Sequence, residues 1–216
     1  TASLEPVIEF NERSGMATST RRKAIELWGP KLPAGDPYKL ARELFCYDNP
    51  PGTTEISGSQ DTIGLVFPGL TRSDYAGEYW PEHIEQVTDE ETLQFVQDHV
   101  FLAPLGPREH GYAALQDTRI NARNATRLAD AANACWEAIL KHDLQGFGSA
   151  VRESFEAQIA MFPNMCTETV SEMVTYYADK ACGWKLSGAG GGGYLTLVAE
   201  SSINDEIRSC VRCPLS

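Results

Sequence analysis

The sequence has no long apolar segment. None of its hydrophobic runs reaches the roughly 18 residues that a membrane-spanning helix needs, so we expect no transmembrane segment. The N-terminus lacks the charged-then-apolar pattern of a secretory signal peptide, and we expect a cytoplasmic protein. With 216 residues, of which 42% are hydrophobic, the chain can bury a sizeable core in one large domain or two small ones.

Basic residues are scarce relative to acidic ones. The chain has 18 Lys and Arg against 30 Asp and Glu, which gives a formal net charge of −12. Since a nucleic-acid surface needs clustered Lys and Arg, we expect no nucleic-acid partner. A nucleotide ligand remains compatible with this charge, because a few backbone N–H groups and one cation can hold phosphates locally.

Histidine and cysteine form no metal-binding pattern. The four His residues include no pair at i, i+4 spacing. Cys210 and Cys213 form a CxxC, but no second ligand pair stands at a spacing suited to zinc. A thioredoxin-like site would need a helix after this motif, and only three residues follow it. We therefore interpret the cysteines as structural or incidental thiols.

Glycine is concentrated in one short segment, which runs Ser187-Gly188-Ala189-Gly190-Gly191-Gly192-Gly193. An ordered glycine costs up to about 1 kcal/mol of extra backbone entropy, so such a run indicates either a linker or a backbone that approaches something closely. Apolar residues before it and a β-rich run at 194–198 argue against a linker. Gly188, Gly190 and Gly193 match the dinucleotide-binding pattern GxGxxG. A dinucleotide fold needs strand, loop and helix in that order, whereas the sequence here predicts helix, loop and strand. Phosphate or substrate contact and a tight connection between core elements remain as alternatives.

Two further segments carry polar groups suited to phosphate chemistry. Residues 14–20 lie between a predicted strand over 7–10 and a predicted helix over 21–28, where helix N–H groups can bind an anion; a capped helix start is the alternative. The second segment is Ser57-Gly58-Ser59-Gln60-Asp61. The Asp61 carboxylate could accept a hydroxyl proton as the oxygen attacks a γ-phosphate, although an Asp after a glycine turn is also a common helix cap.

The remaining pattern mixes helices and strands without regular alternation. Apolar residues recur at helical spacing over residues 117–142, with Ile120 on the apolar stripe, and over residues 144–161. A third helix is predicted over 167–181 with Thr167 as its N-cap, and a last one over 203–210. Strands are predicted over 100–103 and 194–198, and a hairpin over 75–82. The fold class is therefore expected to be α+β.

Together these segments resemble the signatures of the GHMP kinases, a family that includes galactokinase, homoserine kinase and mevalonate kinase. Residues 185–193 are similar to the third signature. Residues 14–20 are similar to the second, S-G-L-G-T-S-S, with Ala17 in place of a glycine and Thr20 in place of a serine. Residues 57–61 and the Phe67-Pro68-Gly69-Leu70 that follows resemble the G-G-x-Q-D stretch of the sugar-kinase branch, which includes heptose and fucose kinases. The three segments occur in family order over nearly the whole chain.

The resemblance implies an ATP- and Mg²⁺-dependent kinase that phosphorylates a sugar hydroxyl, with Asp61 as the catalytic residue. Ser19 and Asp48 would bind the metal ion, with Glu43 and Glu55 as competing candidates for the acidic ligand. Arg108 would contact the sugar or a phosphate, or be an ordinary surface residue. The acceptor would contact Gln60, Asp61, Ser187 and Gly190. The nucleotide would contact Ser14, Gly15, Met16, Ala17, Thr18, Ser19, Thr20, Gly188, Ala189, Gly190, Gly191 and Gly192.

The resemblance also implies two domains. Residues 1–95 would form part of an N-terminal domain like domain 2 of ribosomal protein S5, and residues 96–216 a ferredoxin-like C-terminal domain. The family's first signature, P-G-R-x-x-L-x-G-E-H, has no counterpart in residues 1–10. We therefore expect a partial first domain, either because preceding residues are missing from this sequence, because a partner chain supplies them, or because the protein is a naturally shortened relative. In the last case an exposed sheet edge would favour a homodimer. The same absence supports an alternative function, a non-catalytic GHMP-fold module that binds a ligand or a partner protein.

Overall fold

The computed structural model describes residues 3–4, 17–107, 110, 112–201, 203 and 208–209. These residues fall into two units, one formed by residues 3–4 with Ala17–Leu93 and the other beginning at Gln94. Four features named above lie outside the described residues: the predicted strand over 7–10, residues 14–16, Arg108 and the CxxC. The assignment of domains to residues 1–95 and 96–216 stays a prediction.

The first unit contains three helices and one hairpin. The helices are α1 (Thr18–Trp28), α2 (Pro37–Asp48) and α3 (Gln60–Val66), and strands β1 (Leu70–Asp74) and β2 (His83–Val87) pair antiparallel. The sequence predicted a hairpin over residues 75–82, and these residues form the loop between β1 and β2. Helix α2 begins where it does because the Asp36 side chain accepts a hydrogen bond from the N–H of Tyr38 and Pro37 opens the first turn. The buried core consists of Leu4, Ala24, Ala41, Leu44, Ile63 and Val66.

The second unit is built on a four-stranded antiparallel sheet in the order β4-β5-β3-β6. Helix α4 (Glu90–His99) leads into β3 (Val100–Gly106), which pairs with β5 (Gly193–Val198) and with β6 (Arg208–Ser209). Strand β4 (Gly183–Leu186) pairs with the other edge of β5. Side chains of β5 alternate between buried and half-buried from Leu195 to Leu197, as expected for a strand with one face in the core.

Helices α5 (Ala122–Leu140), α6 (Leu144–Met161) and α7 (Glu168–Tyr177) complete this unit. The close approach of α6 to β4 depends on two glycines, because a Cβ at Gly148 would lie 2.6 Å from the carbonyl carbon of Cys182 and a Cβ at Gly183 would overlap the backbone of Gly148. This contact brings the second half of α6 to the glycine-rich segment. The fully buried Phe155 of α6 joins Val170, Leu186, Leu195 and Leu197 in the core.

The α+β prediction is confirmed, and α6 has the predicted bounds. Helix α5 begins later than predicted because the Asn121 side chain caps it, and Ile120 is 66% exposed rather than on an apolar stripe. Helix α7 has Thr167 as its N-cap, as predicted, but ends at Tyr177. The helix predicted over 203–210 is wrong at Arg208–Ser209, which form β6. Among the described residues, no helix is long and apolar enough to cross a membrane.

Candidate functional site

Two carboxylates of the first unit interact electrostatically. Asp48 is the last residue of α2, and Asp61 is the second residue of α3. Burial raises the pKa of the Asp61 carboxyl, and the negative charge of Asp48 raises it further. Within the part of the chain that the structure describes, neither carboxylate forms an ion pair with a basic side chain. Asp48, predicted as a metal ligand, and Asp61, predicted as the catalytic residue, therefore lie in one region of the first unit.

The side chain of Asn49 connects the two segments that carry these carboxylates. Its Nδ2 donates hydrogen bonds to the carbonyls of Phe45 at 2.9 Å and Ser57 at 3.3 Å, and its Oδ1 accepts one from the N–H of Ser57 at 2.7 Å. The carboxamide thus fastens the backbone of Ser57 to the C-terminal end of α2. Because α3 begins soon after Ser57, this connection brings Asp61 toward Asp48.

Ser59 is fully buried before α3 and organises the loop of the β1–β2 hairpin. Its Oγ donates to the carbonyl of Tyr79 at 2.6 Å. Since a hydroxyl has only one proton, Oγ accepts from the Tyr75 hydroxyl at 3.0 Å. The two tyrosines are 44% and 55% exposed. The hairpin loop therefore adds two exposed aromatic residues beside the start of α3, where exposed Gln60 and half-buried Asp61 follow.

The N-cap residue of helix α1 is an alanine, whose side chain makes no hydrogen bond. This residue, Ala17, has φ 55° and ψ 32°, a left-handed conformation that favours the glycine found in the family signature. The alanine offers no oxygen to the N–H groups of the first turn, and that turn contains no acidic residue. Ala17 itself therefore supplies no cap, and the two interpretations of residues 14–20 both stay predictions. Thr18 is half-buried, Ser19 is exposed and Thr20 is buried.

Helix α1, which carries the exposed Ser19 in its first turn, contacts helix α2, which ends at Asp48. Lys23 is one helical turn after Ser19 on the same face of α1. The Lys23 Nζ lies 5.8 Å from the centroid of the Tyr47 ring, and Tyr47 directly precedes Asp48. The hydroxyl and the carboxylate predicted as metal ligands therefore lie on two helices that contact each other.

The glycine-rich segment belongs to the second unit and forms a hairpin loop. Strands β4 and β5 flank it, so the predicted helix–loop–strand order is wrong: a strand too short to predict lies between α7 and the loop. A dinucleotide motif still does not fit, because no helix follows. Gly188, Gly190, Gly191, Gly192 and Gly193 all have φ between 69° and 149°, where side chains are strained, so the loop requires its glycines. Ser187 is half-buried, and its Oγ hydrogen bonds to Oγ1 of Thr196 at 2.8 Å.

Tyr112 binds the loop at two points. Its hydroxyl donates to the carbonyl of Ala189 at 2.9 Å and is also 3.2 Å from the carbonyl of Asn164. Its ring lies against Gly191, where an added Cβ would be only 2.6 Å from Cε1. This contact could not be predicted from the sequence, because Tyr112 is far from the loop along the chain and lies in an irregular segment.

Gln158 of α6 binds the neighbouring peptide group. Its Nε2 donates to the carbonyl of Gly188 at 3.4 Å. Its Oε1 accepts from Nζ of Lys185 at 3.1 Å, and the same amine donates to Oγ of Ser154 at 2.9 Å. Burial lowers the pKa of the Lys185 amine. The loop thus receives side-chain hydrogen bonds from Tyr112 and from Gln158 of α6.

The candidate residues therefore form two groups. The first unit holds Ser19, Asp48, Gln60 and Asp61, and the second holds the loop with Ser187 and its glycines. Asn49, Tyr112 and Gln158 were not identified from the sequence. The four described cysteines, Cys46, Cys135, Cys166 and Cys182, are free thiols, as expected.

No protein-family model and no curated protein matches the chain, whereas solved structures do. A crystal structure of mevalonate kinase superposes with a TM-score of 0.60 at 18% identity, covering 89% of this chain and 60% of that protein. A putative sugar kinase from Campylobacter jejuni gives a TM-score of 0.59 at 16% identity, covering 88% and 55%. A D-glycero-D-manno-heptose 1-phosphate kinase from Bacteroides thetaiotaomicron gives 0.51 at 13% identity, covering 89% and 66%.

The chain thus spans between 55% and 66% of the length of these three proteins. All three are kinases of the GHMP type, and each likeness extends over at least 88% of this chain, across both of its units. The order of the three sequence signatures agrees with this likeness. The resemblance is confirmed at the level of structure: the chain has the fold of the GHMP kinases.

Proposed function

We propose that the protein is an ATP-dependent kinase that transfers a phosphoryl group to a sugar hydroxyl, with a heptose- or fucose-like acceptor. The observation that carries this proposal is the pair of Asp48 and Asp61. Two carboxylates brought together without a basic partner among the described residues are unfavourable by themselves. Such a pair is useful where a cation and a reacting hydroxyl are to be bound.

A magnesium ion fits this pair. Mg²⁺ prefers oxygen ligands and is usually held by one or two carboxylates together with substrate phosphates. Over the described residues, no group of three or more His, Cys, Asp or Glu could hold a metal ion, so phosphate oxygens would complete the coordination. Asp48 and the Ser19 hydroxyl would be the protein ligands. When bound, the ion would offset the negative charge of the carboxylates and of the phosphates.

Two backbone segments fit a nucleotide triphosphate. The N-cap residue of α1 is Ala17, which supplies no capping oxygen, and the N–H groups at a helix start can bind an anion. The loop over Gly188–Gly192 has almost no side chains to obstruct a phosphate, and its backbone accepts hydrogen bonds from Tyr112 and Gln158. Residues 14–20 and the glycine loop are the two segments that the family resemblance assigns to ATP, which would supply the γ-phosphate.

Asp61 would act on the acceptor hydroxyl. Because its pKa is raised, its carboxylate is a stronger base than that of an ordinary Asp and is better suited to accept the hydroxyl proton. Gln60, Ser187 and Gly190 are the further residues that the family resemblance assigns to the acceptor. Most of the rate enhancement would come from positioning and charge neutralisation, as in other phosphoryl transfers.

The test is release of ADP by the full protein with Mg²⁺ and a panel of free sugars, heptoses and fucose among them. We expect turnover with at least one sugar and loss of turnover in Asp61→Asn with ADP binding retained. Asp130→Asn, at an exposed site on α5, is the matched control and should keep full activity. Unchanged turnover in Asp61→Asn would remove Asp61 from the mechanism. Ligand binding without turnover for any sugar would support the non-catalytic module instead, which the alanine at position 17 favours.

A further inference from the structure

The loop of the β1–β2 hairpin, residues 75–82, is fastened to the start of α3. The buried Ser59 stands two residues before Asp61, and its Oγ bonds to the Tyr75 hydroxyl at 3.0 Å and to the carbonyl of Tyr79 at 2.6 Å. Because consecutive Cα atoms are about 3.8 Å apart, those of Ser59 and Asp61 are separated by at most about 7 Å. The loop therefore lies close to the segment whose carboxylate the proposed function assigns to the acceptor hydroxyl.

The same loop is also fastened to α2, through the side chain of Trp80. The indole N–H of Trp80 donates to the Tyr38 hydroxyl at 2.9 Å. The centroid of its ring lies 5.5 Å from that of Phe45 and 5.3 Å from the guanidinium carbon of Arg42. All three partners belong to α2. Contacts with two helices thus give the loop a defined position in the first unit.

Tyr75 and Tyr79 remain exposed although the loop that carries them is held in place. Tyr75 is bonded through its hydroxyl and Tyr79 through its backbone, so neither bond to Ser59 uses the face of a ring. Tyrosines offer a large contact area at a small cost in conformational entropy, and a fixed loop lowers that cost further. The face of an aromatic ring is partly negative and attracts the weakly positive C–H hydrogens of a sugar ring.

We propose that Tyr75 and Tyr79 bind the acceptor: their exposed rings stack against the C–H face of the sugar whose hydroxyl meets Asp61. This inference rests on the proposed function. It adds two substrate-binding residues that belong to none of the family signatures and that a chain folded only for stability would not need to expose beside Asp61.

Paired variants separate the rings from the contacts that hold the loop. Tyr79→Ala removes a ring and keeps the carbonyl that Ser59 binds, whereas Tyr79→Phe keeps the ring. Tyr75→Ala removes both the ring and the hydroxyl bond, and Tyr75→Phe removes the bond alone, so the difference between these two isolates the ring. The matched control is Tyr176→Ala on α7, where the tyrosine is 50% exposed.

Saturation-transfer NMR detects the stacking contact without turnover. The probes are L-fucose and D-glycero-D-manno-heptose, each with ADP and Mg²⁺, and the protein is deuterated except on its tyrosine and phenylalanine rings. Saturation of these ring protons should pass to the C–H protons of at least one of the two sugars. We expect the transfer to fall in Tyr79→Ala and Tyr75→Ala, and to persist in both phenylalanine variants and in the control.

Kinetics with the sugar that is turned over give a second measurement. Loss of one stacking contact should raise KM for the sugar by about tenfold, the upper end of what an aromatic contact contributes. Because the contact is made equally in the ground state and the transition state, kcat should stay nearly constant, and KM for ATP should not change. Tyr79→Phe should keep all three values.

The failure of this inference can be distinguished from that of the proposed function. Sugar binding and turnover that stay unchanged in both alanine variants would overturn the inference and leave the proposed function standing. A rise in KM for ATP equal to that for the sugar would also overturn it, because the rings would then support the fold rather than bind the sugar. If the wild-type protein neither binds nor phosphorylates any sugar, the proposed function is wrong, and the inference is wrong with it.

Discussion

Replacing Gly191 by alanine tests the account of the glycine loop most simply. Gly191 has φ +69°, and an added Cβ would overlap the ring of Tyr112. Gly106, at the end of β3 in the same unit, has φ +82° but no atom within 4 Å of an added Cβ. The pair therefore separates the strain of the backbone from the crowding by the tyrosine.

The expected magnitudes follow from these two effects. A left-handed conformation costs a residue with a Cβ roughly 1–2 kcal/mol, and both variants incur this penalty. Both also gain from the smaller entropy of the unfolded chain, by about 0.4–1 kcal/mol. Crowding of a packed group adds about 1–3 kcal/mol in Gly191→Ala alone. We expect the free energy of unfolding of Gly191→Ala to be lower than that of Gly106→Ala by about this last amount.

Urea denaturation of the two variants, followed through tryptophan fluorescence, measures this difference. A second pair made in a Tyr112→Ala background completes a double-mutant cycle, in which most of the extra destabilisation at Gly191 should disappear. Equal destabilisation by the two alanines would refute the ring contact. An undiminished effect of Gly191→Ala without the tyrosine would refute it as well.

Four other predictions concern burial and charge. Phe155→Ala, at a core side chain with 1% exposure, should lower the free energy of unfolding by about 3–5 kcal/mol in urea denaturation; a smaller loss would contradict the core assignment. Asp48→Asn should lower the pKa of Asp61, followed by carboxyl-carbon NMR without metal, yet leave it above the ordinary value because burial is the larger cause. Since the folded-state pKa of Asp61 is raised, its ionisation lowers stability as pH rises from the ordinary Asp range through the raised pKa, and Asp61→Asn should remove that fall. Burial raises the pKa of Cys135 to about 11, so iodoacetamide at pH 8 should modify exposed Cys46 well before Cys135; equal rates would contradict this.

Local signals made much of the second unit predictable. Helix α6 has its predicted bounds because Asp143 caps its start and Pro163 follows its end. Thr167 caps α7 as its residue type and place before Glu168 indicate. In each case the information lies within a few residues of the boundary, where a single sequence can show it.

The errors arose where a distant partner decides the structure. Strand β4 has only four residues, one of them Lys185, and exists because β5 pairs along it. The chain before α5 is not helical, since the N–H of Arg119 donates to the carbonyl of Met161 at 2.7 Å and Asp117 has φ 56°. No spacing rule within a short window reveals such pairings.

The candidate site likewise contains residues that the sequence indicates and residues that it does not. Asp61, Asp48 and the glycine loop could be found from the sequence, because they stand in short segments similar to family signatures. The residues that support them could not. Asn49 acts across a loop that contains two prolines, and Tyr112 acts on a carbonyl 77 positions away. Signatures identify the residues expected to meet the ligands and not those that orient them.

We propose that this protein transfers a phosphoryl group from ATP to a sugar. Phosphorus NMR of the full protein with ATP, Mg²⁺ and the sugar panel tests it most directly, because it identifies the product. We predict that a sugar phosphate monoester and ADP appear together, and that neither forms with Asp61→Asn. Bound nucleotide with no ester from any sugar, or release of inorganic phosphate alone, would contradict the account.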